Sequence, residues 1–227
     1  MQHVVIFGAG GHGREVAEVL RLQAYSTNNL SVLGFVVDDP SLHQPVVNEL
    51  PVLGDWSWFE GKDRNEVAII CAVGLPQVRK YIVERAISSG LSFFRAISPL
   101  AYLSPNAKIG DGVMIFPNAF ISTECFIGDH TIINAGATIS HDSKVERFGT
   151  VNPGVHVAGD VVVGEGAYLG VGSSAIHGVS IGAWSTIGAG SVVTCDLPEN
   201  VTAVGVPSRV IKTKEKGWHV HTAGVAG

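Results

Sequence analysis

A strict six-residue repeat runs through the second half of the chain. Every sixth residue from Leu103 to Val193 is Leu, Ile or Val, with Ala175 as the one exception. A small or β-branched residue follows four positions later in each repeat as far as Ile187. The common turn residues Gly, Asp, Asn and Pro fill many of the positions between. Such a register, kept without an insertion, predicts a repeat architecture.

A period of six matches neither an α-helix nor a long strand, whose side chains repeat every ~3.6 and ~2 residues. It indicates short strands separated by regular corners, with one aliphatic side chain of each hexad in the interior. Three hexads make one triangular coil of about 18 residues, so about five coils are predicted. Parallel pairing at ~4.8 Å makes the column about 24 Å tall. A β-sandwich is the alternative, but sandwiches keep a two-residue alternation and irregular loops.

The first hundred residues have the pattern of alternating strands and helices. Val4–Phe7 predicts a buried strand, which leads into a glycine-rich loop at residues 8–13. Val16, Val19 and Leu20 then mark one face of a helix. The later elements are predicted from similar patterns: strands at Val32–Val37, Val67–Val73 and Ser92–Ala96, and a helix at about Gln77–Ser88.

A glycine-rich loop between a strand and a helix is the setting of a phosphate-binding turn. NAD binding needs two mononucleotide halves, and residues 1–98 have room for one. A nucleotide sugar or mononucleotide is therefore the favoured ligand, with a plain βαβ packing turn as the alternative. The sequence predicts a half-Rossmann α/β domain at residues 1–98, a parallel β-helix at residues 99–212 and a tail at residues 213–227.

Composition excludes several other classes of protein. Charged residues make up 15% of the chain and the net charge is −5, which disfavours disorder and a nucleic-acid-binding surface. No apolar run approaches the ~20 residues that span a bilayer, and the N-terminus lacks the pattern of a signal peptide. Cys71, Cys125 and Cys195 have no metal-binding or disulfide spacing. We expect a cytoplasmic protein without a metal.

Two groups of motifs make the chain resemble a known family. Segments such as Ile109–Val113 (IGDGV) and Ile187–Ser191 (IGAGS) resemble the hexapeptide repeats of left-handed β-helix acyltransferases. The left hand is implied by this resemblance alone. The residue spacing does not give the hand, and crossovers of parallel strands are normally right-handed. Together with the loop Gly10–His12 and the acidic pair at 38–39, these repeats make nearly the whole chain similar to nucleotide-aminosugar N-acetyltransferases and sialic acid O-acetyltransferase-like proteins, the PglD and NeuD group.

The resemblance implies both the reaction and its residues. Members transfer acetyl directly from acetyl-CoA to an amino group, here the one on C4, of a nucleotide-linked amino sugar during the synthesis of surface-glycan precursors. They are homotrimers with active sites between subunits. His141 is implied as the general base and Asp142 as its acidic helper. The implied nucleotide-sugar site comprises Gly10, Gly11, His12, Asp38, Asp39 and Gly74. The implied acetyl-CoA site comprises Thr150, Gly159, Val171 and Ala189.

Other residues have a structural interpretation. Cys125 is expected to pack in the interior. The aromatic cluster Trp56–Phe59 is expected to pack within its domain, with stacking of one ring on a nucleobase as the alternative. His177 is two coils beyond His141 on the same corner, which places it ~9.6 Å from the level of His141. We expect it on an exposed corner, with a place in the coenzyme A groove as the alternative. Three other functions remain open: a sugar O-acetyltransferase, a non-catalytic β-helix binding protein and an NAD-dependent oxidoreductase.

Overall fold

The computed structural model describes residues 1–39, 44–62 and 66–220. These residues divide into two compact units, with the division between Pro99 and Leu100. Each unit has its own set of buried apolar side chains. The end of the predicted tail, residues 221–227, lies outside the described residues. Within those residues, no helix is long and apolar enough to cross a membrane.

The N-terminal unit is an α/β domain with a mostly parallel sheet. Its elements are β1 (Gln2–Phe7), α1 (Gly11–Thr27), β2 (Leu30–Val36), β3 (Val46–Val47), β4 (Leu50–Gly54), a 3-10 turn (Trp56–Phe59), β5 (Val67–Cys71), α2 (Pro76–Ser88), β6 (Ser92–Phe93) and β7 (Ala96–Ile97). The strand order in the main sheet is β3-β4-β2-β1-β5-β6. Strand β1 pairs in parallel with both β2 and β5, which confirms the predicted half-Rossmann arrangement.

The core of this unit follows the predicted periodicities. Val4, Val5 and Ile6 of β1 are fully buried, and β1 is an inner strand with neighbours on both sides in the sheet. Val16 and Leu20 of α1 are also fully buried, and they are spaced as one face of a helix. The sheet and α1 therefore form where the hydrophobic pattern predicts them.

Two predicted strands differ from the structure. The strand predicted at Val67–Val73 ends at Cys71, because the Val73 amide donates to the Cys71 carbonyl (2.9 Å) and turns the chain. The strand predicted at Ser92–Ala96 is divided into β6 and β7. The β3–β4 hairpin is not predicted, because its strands are too short to show a hydrophobic periodicity in the sequence.

The C-terminal unit is a parallel β-helix of two-residue strands. These strands are β8 (Tyr102–Leu103), β9 (Lys108–Ile109), β10 (Met114–Ile115), β11 (Phe120–Ile121), β12 (Phe126–Ile127), β13 (Ile132–Ile133), β14 (Thr138–Ile139), β15 (Lys144–Val145), β16 (Thr150–Val151), β17 (His156–Val157), β18 (Val162–Val163), β19 (Tyr168–Leu169), β20 (Ser174–Ala175), β21 (Ser180–Ile181), β22 (Thr186–Ile187) and β23 (Val192–Val193). Two longer strands follow, β24 (Val201–Val204) and β25 (Arg209–Thr213).

The six-residue repeat sets the three faces of this column. From β8 to β20, each short strand pairs in parallel with the strand eighteen residues later, as Ile121 does with Ile139 and Ile133 with Val151. The faces run β8-β11-β14-β17-β20-β23, β9-β12-β15-β18-β21 and β10-β13-β16-β19-β22-β24. From Ile115 to Val193, every aliphatic residue of the repeat is buried. These side chains fill the interior of the column, as the period of six predicts.

The chain after the last coil forms further elements as far as Val220. Strand β25 pairs antiparallel with β24 and ends at Thr213. A 3-10 turn at Trp218–Val220 follows, and the His219 ring stacks on Trp184 with centroids 3.9 Å apart. The sequence predicts no element in this segment, and the 3-10 turn is what the structure adds. Stacking on a ring of a distant coil leaves no periodic signal in the sequence.

Candidate active site

His141 and Asp142 occupy one corner of the β-helix, between β14 and β15. Asp142 has a left-handed backbone conformation (φ 62°), which Asp adopts more readily than most residues. Its Oδ2 lies 2.8 Å from His141 Nδ1. Because an ionised carboxylate only accepts hydrogen bonds, Nδ1 carries the proton and the lone pair of the neutral ring lies on Nε2. Both side chains are more than half exposed, so the ring is open to a substrate.

The next coil leaves room for the His141 ring. Gly159 lies one coil further on at the same corner, and a Cβ atom there would lie 2.5 Å from Cε1 and 2.6 Å from Nε2 of His141. Any side chain at residue 159 would therefore displace the imidazole. The Asp160 amide donates to the His141 carbonyl (3.0 Å), and this bond joins the two coils at the corner.

The rings of His177 and His141 are close neighbours. The two residues lie two coils apart on one corner, and their ring centroids are 6.4 Å apart with a tilt of 43°. The His141 ring extends over Gly159, toward the coil that carries His177. The rings are therefore closer together than the ~9.6 Å expected between the two coil levels, and the exposed corner residue His177 is a neighbour of the catalytic candidate.

Two buried side chains support this corner from the interior. The prediction that Cys125 packs inside is confirmed: it is 1% exposed, and its thiol donates to the Ser140 carbonyl (3.1 Å). The hydroxyl of Ser143 donates to the Ala158 carbonyl (2.8 Å) in the next coil. These bonds hold the backbone on both sides of His141. Sequence reasoning misses this role of Ser143, because its position in the hexad resembles that of the other small interior residues.

The predicted acetyl-CoA residues lie on different parts of the β-helix. Val171 and Ala189 are exposed neighbours on one corner, where the Gly190 amide donates to the Val171 carbonyl (2.9 Å). Gly159 lies on the His141 corner, and Thr150 is buried on the face formed with β13 and β19. One protomer therefore brings Gly159 to His141 but does not bring Val171 and Ala189 there.

The glycine-rich loop of the N-terminal unit is closely packed on one side and open on the other. A Cβ at Gly13 would lie 1.9 Å from the Gly8 carbonyl oxygen, so the helix entry requires glycine there. Gly10 and Gly11 have open space instead: nothing lies within 4 Å of a Cβ at Gly10. The backbone at the N-terminus of α1 can therefore be approached closely by an anionic group, as in phosphate-binding turns.

His12 completes this loop and is largely buried. Burial, and secondarily the positive charge of Arg79, lower the pKa of His12 from 6.5 to about 4. Its Nδ1 lies 3.6 Å from Oε2 of Glu15, whose side chain is 63% exposed. At neutral pH the imidazole is uncharged, so it offers one N–H donor and one acceptor nitrogen.

Asp38 makes its contacts within the N-terminal unit. One carboxylate oxygen accepts the Trp56 amide (3.0 Å), and the other forms an ion pair with Arg85. The guanidinium of Arg85 lies over the Trp56 ring, 4.0 Å from its centroid, and Phe7 packs against the same ring. The aromatic cluster thus packs within its domain, as expected, and Asp38 orders it.

The two other predicted residues of the nucleotide-sugar site have different surroundings. Asp39 is the last described residue before the segment 40–43, which lies outside the described residues. Gly74 follows β5, and its carbonyl accepts a hydrogen bond from Arg79 (3.0 Å). Among the described residues, no cluster of three or more His, Cys, Asp or Glu side chains could hold a metal ion.

Comparison with known proteins adds family matches for both units. Residues 3–86 match the PglD N-terminal domain, and residues 106–141 match the bacterial transferase hexapeptide model of six repeats. A comparison with curated proteins found no match.

Solved structures resemble the chain over almost its whole length. GDP-perosamine N-acetyltransferase from Caulobacter crescentus is 36% identical, with a TM-score of 0.86 over 93% of this chain and 98% of that one. It was solved as a histidine-to-alanine variant with CoA and GDP-perosamine. The acetyltransferase domain of PglB from Neisseria gonorrhoeae is 30% identical, with a TM-score of 0.84 over 93% of this chain and 100% of that one. The predicted left-handed β-helix is confirmed by these matches.

Proposed function

Because the chain belongs to the PglD/NeuD family of hexapeptide-repeat nucleotide-aminosugar N-acetyltransferases, we propose that it transfers acetyl from acetyl-CoA to the C4 amino group of a nucleotide-linked amino-deoxysugar. The acetyl group passes directly to the amine, and His141 is the general base. The observation that supports this proposal best is the bond of 2.8 Å between Nδ1 of His141 and Asp142, which leaves Nε2 as the proton acceptor.

The reaction needs one nucleophile, one base and one leaving group. The amine nitrogen attacks the thioester carbonyl carbon, and Nε2 of His141 takes a proton from that nitrogen as the C–N bond forms. Asp142 keeps the ring in the tautomer that can accept the proton and stabilises the resulting imidazolium. The C–S bond then breaks, the electron pair leaves with the CoA sulfur, and the imidazolium returns its proton to this thiolate.

The buried cysteines argue against a covalent acetyl-enzyme. Cys71 is completely buried, and burial raises the pKa of its thiol to about 12, so it holds its proton at neutral pH. Cys125 is 1% exposed and is hydrogen-bonded to a backbone carbonyl. Direct transfer therefore fits the corner at His141 better than transfer through Cys71 or Cys125.

The nucleotide sugar is proposed to bind at the glycine-rich loop. The free space at Gly10 and Gly11 supports this, because it lets a diphosphate approach the N-terminus of α1. GDP-perosamine is the nucleotide sugar in the structure of the Caulobacter crescentus relative. We therefore include GDP-linked 4-amino sugars among the proposed substrates.

Acetyl-CoA is proposed to bind between protomers of a homotrimer. Gly159 lies beside His141, whereas Val171 and Ala189 lie on another corner of the same β-helix. A neighbouring protomer that presents this second corner would complete the site. We also propose that the enzyme works in the cytoplasm, on precursors of surface glycans, where both cosubstrates are made.

The test compares two acceptors that differ only at C4. Purified protein is incubated with acetyl-CoA and either GDP-perosamine, which carries a 4-amino group, or GDP-rhamnose, which carries a hydroxyl there. We expect an acetyl adduct by mass spectrometry with the amine and none with the hydroxyl. Acetylation of the hydroxyl sugar alone would contradict the proposal in favour of an O-acetyltransferase. Binding of nucleotide sugars without turnover of any acceptor would favour a binding protein.

A further inference from the structure

A buried arginine lies next to the glycine-rich loop and has no part in the proposed chemistry. Arg79 of α2 is completely buried, close to Cys71 at the end of β5. Burial lowers the pKa of Arg79 to about 9, so the guanidinium is still charged at neutral pH. Burying a charge is costly unless hydrogen bonds compensate it. The hydrogen bonds of Arg79 therefore show which segment of the chain it stabilises.

The guanidinium fixes the turn that follows β5. Its Nη1 donates to the carbonyl oxygens of Val73 (2.7 Å) and Gly74 (3.0 Å). The same segment packs against the glycine-rich loop: a Cβ at Gly8 would lie 3.1 Å from the Ala72 carbonyl oxygen. A change in the turn at 73–74 would therefore be transmitted to the loop.

The charge of Arg79 also acts on His12. It is the second cause, after burial, of the lowered pKa of His12. The Glu15 carboxylate also lies near this ring; it is mostly exposed, and its Oε2 is 3.6 Å from Nδ1. Cys71 faces Arg79 from β5, and its raised pKa keeps the thiol neutral. Arg79 thus helps to hold the loop histidine in its uncharged form.

We propose that Arg79 is a positioning residue for the nucleotide sugar, which sets the shape of the glycine-rich loop through the turn at 73–74. Arg79 is completely buried, so it acts through these neighbours rather than by contact with the ligand. This inference rests on the proposed function, because it takes the loop as the nucleotide-sugar site.

The kinetic test uses R79M, which removes the charge and the hydrogen bonds to the carbonyls of Val73 and Gly74, and R79K, which keeps the charge but not the guanidinium group. Lys80, which is ion-paired with Glu84 on the same helix, supplies the control variant K80M. We expect R79M to raise KM for GDP-perosamine about tenfold or more, with kcat and KM for acetyl-CoA within about twofold, as for a loss of uniform binding. R79K should show a smaller rise in the same KM, and K80M none.

A second readout follows the His12 ring by NMR. Its pKa should rise above about 4 in R79M, because a neighbouring positive charge is removed, and should stay near about 4 in R79K. Three results would overturn the proposal. The first is an unchanged KM for GDP-perosamine in both R79M and R79K, and the second is an equal rise of the KM values for GDP-perosamine and acetyl-CoA. The third is an unchanged His12 titration in R79M. If R79M does not fold, the specific KM increase in R79K decides the question.

Failure of the proposed function would look different. In that case the unaltered protein would not acetylate GDP-perosamine at all. The His12 titration and the hydrogen exchange of the amides at 73–75 would still test Arg79. Faster exchange of these amides in R79M would support the positioning role, and unchanged exchange together with an unchanged titration would contradict it.

Discussion

At the scale of single residues, the candidate site depends on the absence of a side chain at Gly159. The His141 ring lies in space that opens at Gly159, where a Cβ would approach Cε1 to 2.5 Å. The backbone of Gly159 is not in the left-handed region, so alanine fits the main chain and conflicts only with the imidazole. The position of the base is thus controlled by the size of its neighbour in the next coil.

The variant G159A tests this directly. We expect kcat to fall by about tenfold or more, because a small misplacement of a catalytic group is costly, while the melting temperature changes by only a few degrees. In an H141A background, the same change should have little further effect, since the two substitutions share one target. Additive losses in this double-mutant cycle would show that Gly159 acts independently of His141.

At the scale of elements, the aliphatic repeat determines where each corner lies. Ile139 is completely buried, two residues before His141. The short strands on either side of the corner have little else to hold them, since each strand contributes only two residues to its face. Packing in the interior therefore both stabilises the column and orients the catalytic corner.

Truncation of this side chain should destabilise the protein strongly. We expect I139A to lower the free energy of unfolding by about 2–5 kcal/mol, as for other buried Ile-to-Ala changes. I109A is the control, because Ile109 lies in the first coil and is only partly buried. Denaturant titration of the two variants gives the comparison, and equal losses would contradict the account of the interior.

The glycine-rich loop should make stability depend on pH. The pKa of His12 is lowered to about 4 in the folded protein, whereas the unfolded chain has a value near 6.5. The unfolded state therefore binds more protons between these values, and stability falls as the pH is lowered from 6.5 to 4. His12 thus contributes about 3 kcal/mol at most to the free energy of unfolding above pH 6.5.

This prediction is checked by comparing the protein with H12Q. Unfolding free energies of both are measured from pH 4 to pH 7. The difference between them should change across this range by up to about 3 kcal/mol, with the unaltered protein losing more stability in acid. Parallel curves would show that His12 titrates alike in the folded and unfolded states.

At the scale of the whole molecule, the sequence predicts the repeat far better than it predicts side-chain positions. The period of six locates the interior residues from Ile115 to Val193, because every coil obeys the same rule. The approach of His177 to His141 and the stacking of His219 on Trp184 are not periodic. They depend on the direction that one side chain takes, which residue spacing does not determine.

Assembly supplies the prediction that belongs to this scale. If each site lies between two protomers, H141A inactivates the corner that one protomer contributes. A189R then blocks the corner that the neighbouring protomer contributes. Mixing the two inactive variants and letting the subunits exchange should restore about a quarter of the sites in a symmetric trimer. Light scattering should give about three times the chain mass of 23.8 kDa. Absence of any rescue in a confirmed mixed trimer would place both residues in one protomer.

The most direct measurement of the central claim is the rate of GDP-perosamine acetylation by H141A. H156A is the matched control, since His156 is an exposed histidine of the same β-helix, 2.9 Å from Thr138 Oγ1. Removal of a general base should lower kcat by about 10²–10⁴-fold, whereas H156A should retain kcat within about twofold of the unaltered enzyme. A folded H141A variant with near-normal kcat would contradict the assignment of His141 as the base.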